Sequence, residues 1–126
     1  PAFYESFRRT PFADELTLEV ALAAMKAHAL GSDETTDILA VGFSATDVIG
    51  HAFGPDSHEI MDQMLRLDET LQQLIDAVSA KVGPDGAIFV LSADHSVMPL
   101  VESLQKRGIP AKRVAPAELQ AMVVDG

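Results

Sequence analysis

The chain has 126 residues, 48% of them apolar, enough for one domain with a core and too apolar for a disordered segment. Nineteen acidic residues against nine basic ones give a formal net charge of −10, which argues against a nucleic-acid surface, because phosphate backbones are met by Lys and Arg. The absence of cysteine excludes disulfide frameworks, thiolate metal sites and cysteine nucleophiles, and no apolar run approaches the ~20 residues of a membrane span.

Residues 1–10 read as an irregular lead-in. Pro11 to Leu30 reads as a helix, because Leu18, Leu22, Met25 and Ala29 recur at i, i+4, i+7 and i+11 and build one apolar stripe. Gly31 is placed to end that helix in a left-handed conformation. Ile38 to Phe43 is a short continuous apolar run, the pattern of a strand buried on both faces. Ser44 to Pro55 reads as a loop containing Gly50 and Gly54. The next helix takes Asp56 or Ser57 as its N-cap and carries Glu59 in its first turn. Ile60, Met64, Leu67, Leu71, Leu74 and Val78 form its stripe, and Gly83-Pro84 stops it.

Ala87 to Ser92 is a second buried-strand run. Strand, long helix and strand imply a right-handed crossover between parallel strands. Pro99 to Lys106 reads as helical with Gly108 at its end, Ala111 to Val114 as a short strand, and Pro116 to Val123 as a helix with proline at its first position. The expected fold is α/β, three-layered, with a mainly parallel sheet and flanking helices, in a single partial domain over residues 1–126. Met61, Met64 and Met98 are expected as core filler, His28 as structural and His58 as a surface residue. Asp56 is expected as a cap. The pairs Lys106-Arg107 and Lys112-Arg113 are expected on a solvated face.

In open parallel sheets ligands bind beyond the carboxyl ends of the strands. Two groups of metal-capable side chains fall there: Asp47 and His51 after the first apolar run, Asp94 and His95 after the second. Singly, each of these residues is a common turn former or surface histidine. Two such pairs at one edge point instead to a metal site. Carboxylate and imidazole without thiolate suit zinc, and also manganese, iron or cobalt. Asp47 and His51 are spaced i, i+4, so one helical turn brings both to one ion, and Gly50 removes side-chain bulk beside it.

The strings Ser44-Ala45-Thr46-Asp47-Val48-Ile49-Gly50-His51, Phe53-Gly54-Pro55-x-Ser57, Asp62, Leu65-Arg66-Leu67-Asp68 and Leu91-Ser92-Ala93-Asp94-His95 resemble the alkaline phosphatase superfamily. The nearest branch is the type I phosphodiesterase/nucleotide pyrophosphatase group, which includes single-chain alkaline phosphatases. The resemblance spans about residues 11–95. It implies an alkaline-phosphatase-like fold and two zinc ions, with magnesium or manganese as alternatives. Asp47 and His51 would hold one ion and Asp94 and His95 the other. It implies small phosphate-ester substrates, a periplasmic or secreted location, and a Thr or Ser nucleophile that forms a covalent phospho-enzyme.

In that family the nucleophile and first metal-binding Asp lie far upstream of the Asp-x-x-x-His motif, and the last His far downstream of Asp-His. No catalytic residue is therefore assigned within this chain, and Ser44, Thr46 and Ser96 are not promoted to nucleophile. Ser96 stands where the family usually has Gly. The start at Pro1 without an initiator Met suggests a piece of a longer protein, inactive alone, with residues 97–126 beginning an accessory subdomain. The competing expectations are a non-catalytic module that keeps the fold, or a relative of the sulfatases or cofactor-independent phosphoglycerate mutases.

Overall fold

The computed structural model describes residues 2–124, which form six helices: α1 (Ala2–Phe7), α2 (Phe12–Ala27), α3 (Ala45–Phe53), α4 (His58–Val82), α5 (Val101–Lys106) and α6 (Pro116–Val124). The long α4 is the spine, and α2 and α3 both pack on it. Buried apolar side chains are few: Leu18 and Ala21 on α2, Ala45 and Ile49 on α3. No helix among the described residues is long and apolar enough to cross a membrane.

The expected irregular lead-in contains a helix. Phe3 and Phe7, one turn apart, stack with ring centroids 6.0 Å apart, and Tyr4 meets Phe3 edge-on. Pro1 lies outside the described residues. Helix α2 begins and ends inside its expected span. Its last turn closes through Leu30 N–H to Met25 O (3.0 Å) and Ala29 N–H to Lys26 O (3.3 Å), a Schellman motif. The left-handed residue of that motif is Ala29 (φ 53°), not Gly31. Gly31 serves another purpose: its φ is 69°, and a Cβ there would collide with Val82 at the end of α4.

The helix α4 matches its expected bounds. Ser57, not Asp56, is its N-cap: Ser57 Oγ accepts from Ile60 N–H at 3.2 Å. Asp56 pairs with Arg107 at 3.5 Å. The core-facing residues of α4 include two that the apolar stripe did not contain, Gln63 and Thr70, while Met61 and Met64 are exposed, as is Met98 further along the chain. The three methionines are therefore not core filler. Arg66 clamps α4 to the start of α2 through Glu15 (3.5 Å) and the face of Phe12 (5.7 Å), and is itself held along α4 by Asp62 (3.1 Å). The hydrogen bond and charge of Asp62, followed by Glu15, hold the Arg66 guanidinium above its ordinary pKa. Beyond α4, Gly108 (φ 74°) ends α5 as expected, with Ile109 N–H reaching Leu104 O. The expected solvated basic pairs are exposed but engaged, Arg113 gripping Glu102 at 2.9 Å and Lys112 reaching Glu118 at 3.1 Å.

Two further expectations are not met among the described residues. The first is the sheet: there is no β-strand among the described residues, and the runs at 38–43, 87–92 and 111–114 are neither helical nor paired. The physical reason is that a strand is stable only with a neighbouring backbone to complete its ladder. Nothing in the described chain supplies one, so Ile38 (89% exposed), Ile88 (92%) and Val90 (87%) stand in solvent. The second is the loop at 44–55, most of which is α3. Val48, Ile49 and Gly50 are poor helix formers. Burial overrides that preference, because Ala45 and Ile49, four residues apart, face the core together.

Ile49 is 1% exposed. Ile49→Ala is expected to lower unfolding free energy by about 2–5 kcal/mol, the range for large-to-Ala truncation in a core, read from the urea midpoint at unchanged slope. A cost below ~1 kcal/mol would show that α3 is not held by this side chain.

Candidate metal centre

Helix α3 turns its buried side to α4 and its other side, with Asp47 and His51, to solvent. Asp47 lies in the first turn, where the helix N-terminus favours a carboxylate. His51 follows one turn later, and its Nε2 lies 3.2 Å from Asp47 Oδ1. The third member arrives from far along the chain: His95 Nε2 lies 3.6 Å from the same Asp47 oxygen. The two imidazoles are tilted at 57° with centroids 5.8 Å apart. One donor atom from each of Asp47, His51 and His95 falls within 4.8 Å of the others.

Asp94 stands beside this cluster. It is 88% exposed, its Oδ1 accepts the His95 backbone N–H at 3.0 Å, and its Oδ2 lies 3.6 Å from His95 Nε2. His95 Nδ1 lies 3.1 Å from the Ser96 carbonyl oxygen, which with Nδ1 protonated leaves Nε2 as the free donor atom. All four expected residues thus meet at one place. The tight grouping is Asp47, His51 and His95, with Asp94 at its margin.

These separations suit a cation. A tetrahedral ion with bonds of about 2.1 Å places its ligand atoms about 3.4 Å apart, and the two Asp47–His distances lie on either side of that value. The donor set is oxygen and imidazole nitrogen, which accommodates zinc. His28 caps α2 and is exposed, and His58 is exposed at the start of α4. Neither joins the cluster.

Two glycines bring His95 to α3. A Cβ on Gly50 would lie 2.8 Å from Val97 Cγ2, and one on Gly54 would lie 2.9 Å from Leu100 Cγ. Val97 and Leu100 therefore seat on a side-chain-free strip at i, i+4 of the α3 end. Gly50 does leave room for a close approach, but what approaches is the Val97 side chain.

Sequence reasoning missed two residues that hold α3 from behind. Asp14 is 2% exposed and Gln63 0%. Asp14 Oδ1 accepts the Ala45 N–H at 3.1 Å, and Oδ2 accepts from Gln63 Nε2 at 2.7 Å. Gln63 Nε2 also donates to Thr46 Oγ1 at 3.0 Å. The available signal was register: Asp14 lies at i−4 and i−7 from the buried Leu18 and Ala21.

The sequence profile of the family described as type I phosphodiesterase / nucleotide pyrophosphatase matches residues 2–126. The chain belongs to this family. The alkaline phosphatase PafA of Elizabethkingia meningoseptica is 41% identical over 82% of the chain, and the alkaline phosphatase PhoV of Synechococcus elongatus is 40% identical over 73%. The chain spans 19% and 17% of those two proteins. A crystal structure of wild-type alkaline phosphatase PafA superposes with a TM-score of 0.80 at 40% identity, over 82% of this chain and 20% of that one. The likeness to phosphodiesterase-type alkaline phosphatases read from the motifs thus extends over nearly the whole chain.

The seat of Val97 on Gly50 can be tested by a double-mutant cycle. Gly50→Ala gains helix propensity but overlaps Val97, and Gly50→Ala combined with Val97→Ala relieves the overlap. A coupling of about 0.5–3 kcal/mol is expected in urea titrations, and additive effects would show that the two residues do not meet.

Proposed function

We propose that this chain carries part of the metal centre of a zinc-dependent phosphoric ester hydrolase of the alkaline phosphatase type. The convergence of Asp47, His51 and His95 on one point, from α3 and from a segment more than forty residues later, carries the reading. In the intact centre Asp47 and His51 would serve one ion and Asp94 and His95 the other. Asp47 Oδ1, close to both imidazoles, sits between the two ligand pairs. Paired cations of this kind stabilise the attacking and leaving oxygens of an in-line displacement at phosphorus.

The chain's own contribution is positional. Helix α3 fixes an oxygen and a nitrogen ligand one turn apart, and the Ser96 carbonyl sets the tautomer of His95. The nucleophile and remaining ligands belong, in this reading, to segments outside this chain, so the 126 residues alone do not turn over substrate. The apolar runs 38–43 and 87–92 would find their ladder partners in the same segments, giving the three-layer α/β fold with a mainly parallel sheet. The substrates are small phosphate esters. Family membership and the alkaline phosphatase names of the relatives support this reading.

The test is turnover of p-nitrophenyl phosphate and of a phosphodiester by the full-length gene product. Chelator is expected to abolish turnover and zinc to restore it. His51→Ala and His95→Ala are each expected to lower kcat/KM by at least about 100-fold, since losing even a residue that supports a ligand costs about 10–100-fold. Chelator-insensitive turnover, or full activity in either variant, would overturn the mechanism.

A further inference from the structure

The first amides of a helix have no partner within it and need an acceptor from elsewhere. In α3 the N-cap residue, Ser44, makes no side-chain capping bond. The Ala45 amide is taken instead by the buried carboxylate of Asp14, thirty-one residues earlier on α2. The other Asp14 oxygen holds the Gln63 amide, and that amide also holds Thr46, the residue before Asp47.

We propose that Asp14 and Gln63 are positioning residues for the metal centre: by fixing Ala45 and Thr46 they set the rotation of α3 about its axis, and so the direction in which Asp47 and His51 point. The proposal rests on the reading of those two residues as ligands. Three observations carry it. Both Gln63 contacts run through Nε2, one of them to α3 and the other to the residue that caps α3. Gln63 Oε1 is buried with no partner, an arrangement costly for a residue kept only for packing. Lastly, a buried carboxylate held by neutral donors is a poor device for stability alone, since well-packed apolar residues commonly do as well. Such departures from local rules gather at functional sites.

The two candidate substitutions at Asp14 separate positioning from bulk stability. Asp14→Ala removes the acceptor of both bonds. In Asp14→Asn the new carboxamide oxygen still accepts from Ala45, and the Gln63 amide can turn over so that its oxygen accepts from the new amide and from the Thr46 hydroxyl. Zinc affinity of the full-length protein, measured by competition with a chromogenic chelator below all melting midpoints, is the readout. Asp14→Ala is expected to weaken zinc binding about tenfold or more, in line with other residues that orient ligands, and Asp14→Asn to restore most of it. Leu18→Ala, one turn along α2 and also buried, is the control: it is expected to lower the melting midpoint and leave zinc affinity unchanged.

If Asp14→Ala does not fold, Gln63→Met, which keeps volume and removes both amide contacts, reads the same link. Affinity unchanged in Asp14→Ala or Gln63→Met, or lowered equally by Leu18→Ala, overturns the proposal. Asp47→Ala distinguishes the two levels. Zinc affinity that ignores Asp47→Ala sinks the metal-centre reading and this proposal with it. Affinity that responds to Asp47→Ala but to neither Asp14→Ala nor Gln63→Met overturns the proposal alone.

Discussion

The Asp14 carboxylate accepts hydrogen bonds from two elements at once, the amide at the head of α3 and the Gln63 side chain on α4. Its own helix is α2, so one side chain ties together α4 and the two helices that pack on it. Removing one partner of a buried hydrogen bond of this kind costs about 1–3 kcal/mol, because it strands an unsatisfied group. That overlaps the loss of an apolar side chain from a core. With only four buried apolar residues among those described, the polar knot weighs heavily in what holds the helices in register.

The cluster of Asp47, His51 and His95 inherits its geometry from that knot on one side and from a steric fit on the other. Helix α3 is anchored at its first residues by Asp14 and Gln63 and is approached near its end by Val97 and Leu100, where Gly50 and Gly54 leave room. Asp47 and His51 lie between these two points on a rigid turn, so their spacing is a property of the helix. His95 has no such support of its own. Its place depends on how the chain that follows it seats on the glycine strip, so a substitution at Gly50 would disturb a histidine forty-five residues away.

The site was more legible in the sequence than the fold. Asp47, His51, Asp94 and His95 stood out because their chemistry is uncommon at that spacing, and their types alone restrict what they can bind. The long helix α4 was equally plain from its stripe. What stayed hidden had physical causes. Helix α3 carries poor helix formers and a glycine at its centre, Val48, Ile49 and Gly50, and it exists because Ala45 and Ile49 find a core, which no local propensity records. Asp14 lies in the first turn of α2, where a carboxylate suits the dipole of its own helix. It serves the dipole of another helix, and that depends on a packing partner thirty-one residues away. Gln63 and Thr70 were hidden by the same bias, since a polar residue inside an apolar stripe is read as its edge.

The apolar runs show the limit from the opposite direction. Ile38 to Phe43 and Ala87 to Ser92 have the composition of strands covered on both faces, and here they are unpaired and largely exposed. A helix closes its hydrogen bonds within itself, so a helical pattern can be realised by the residues that carry it. A strand closes them only against another backbone, so a strand pattern states a requirement that its own residues cannot meet. This difference bears on the site. Asp47 and His51 ride on a helix already anchored by Asp14, Gln63 and its buried face, while His95 stands four residues past Leu91, beyond a run whose ladder is open. Pairing that run would fix His95 from its N-terminal side as Val97 and Leu100 fix it from its C-terminal side. The two halves of the cluster therefore differ in what makes them rigid, and the histidine on the non-helical segment is the one whose alignment gains most from a partner strand.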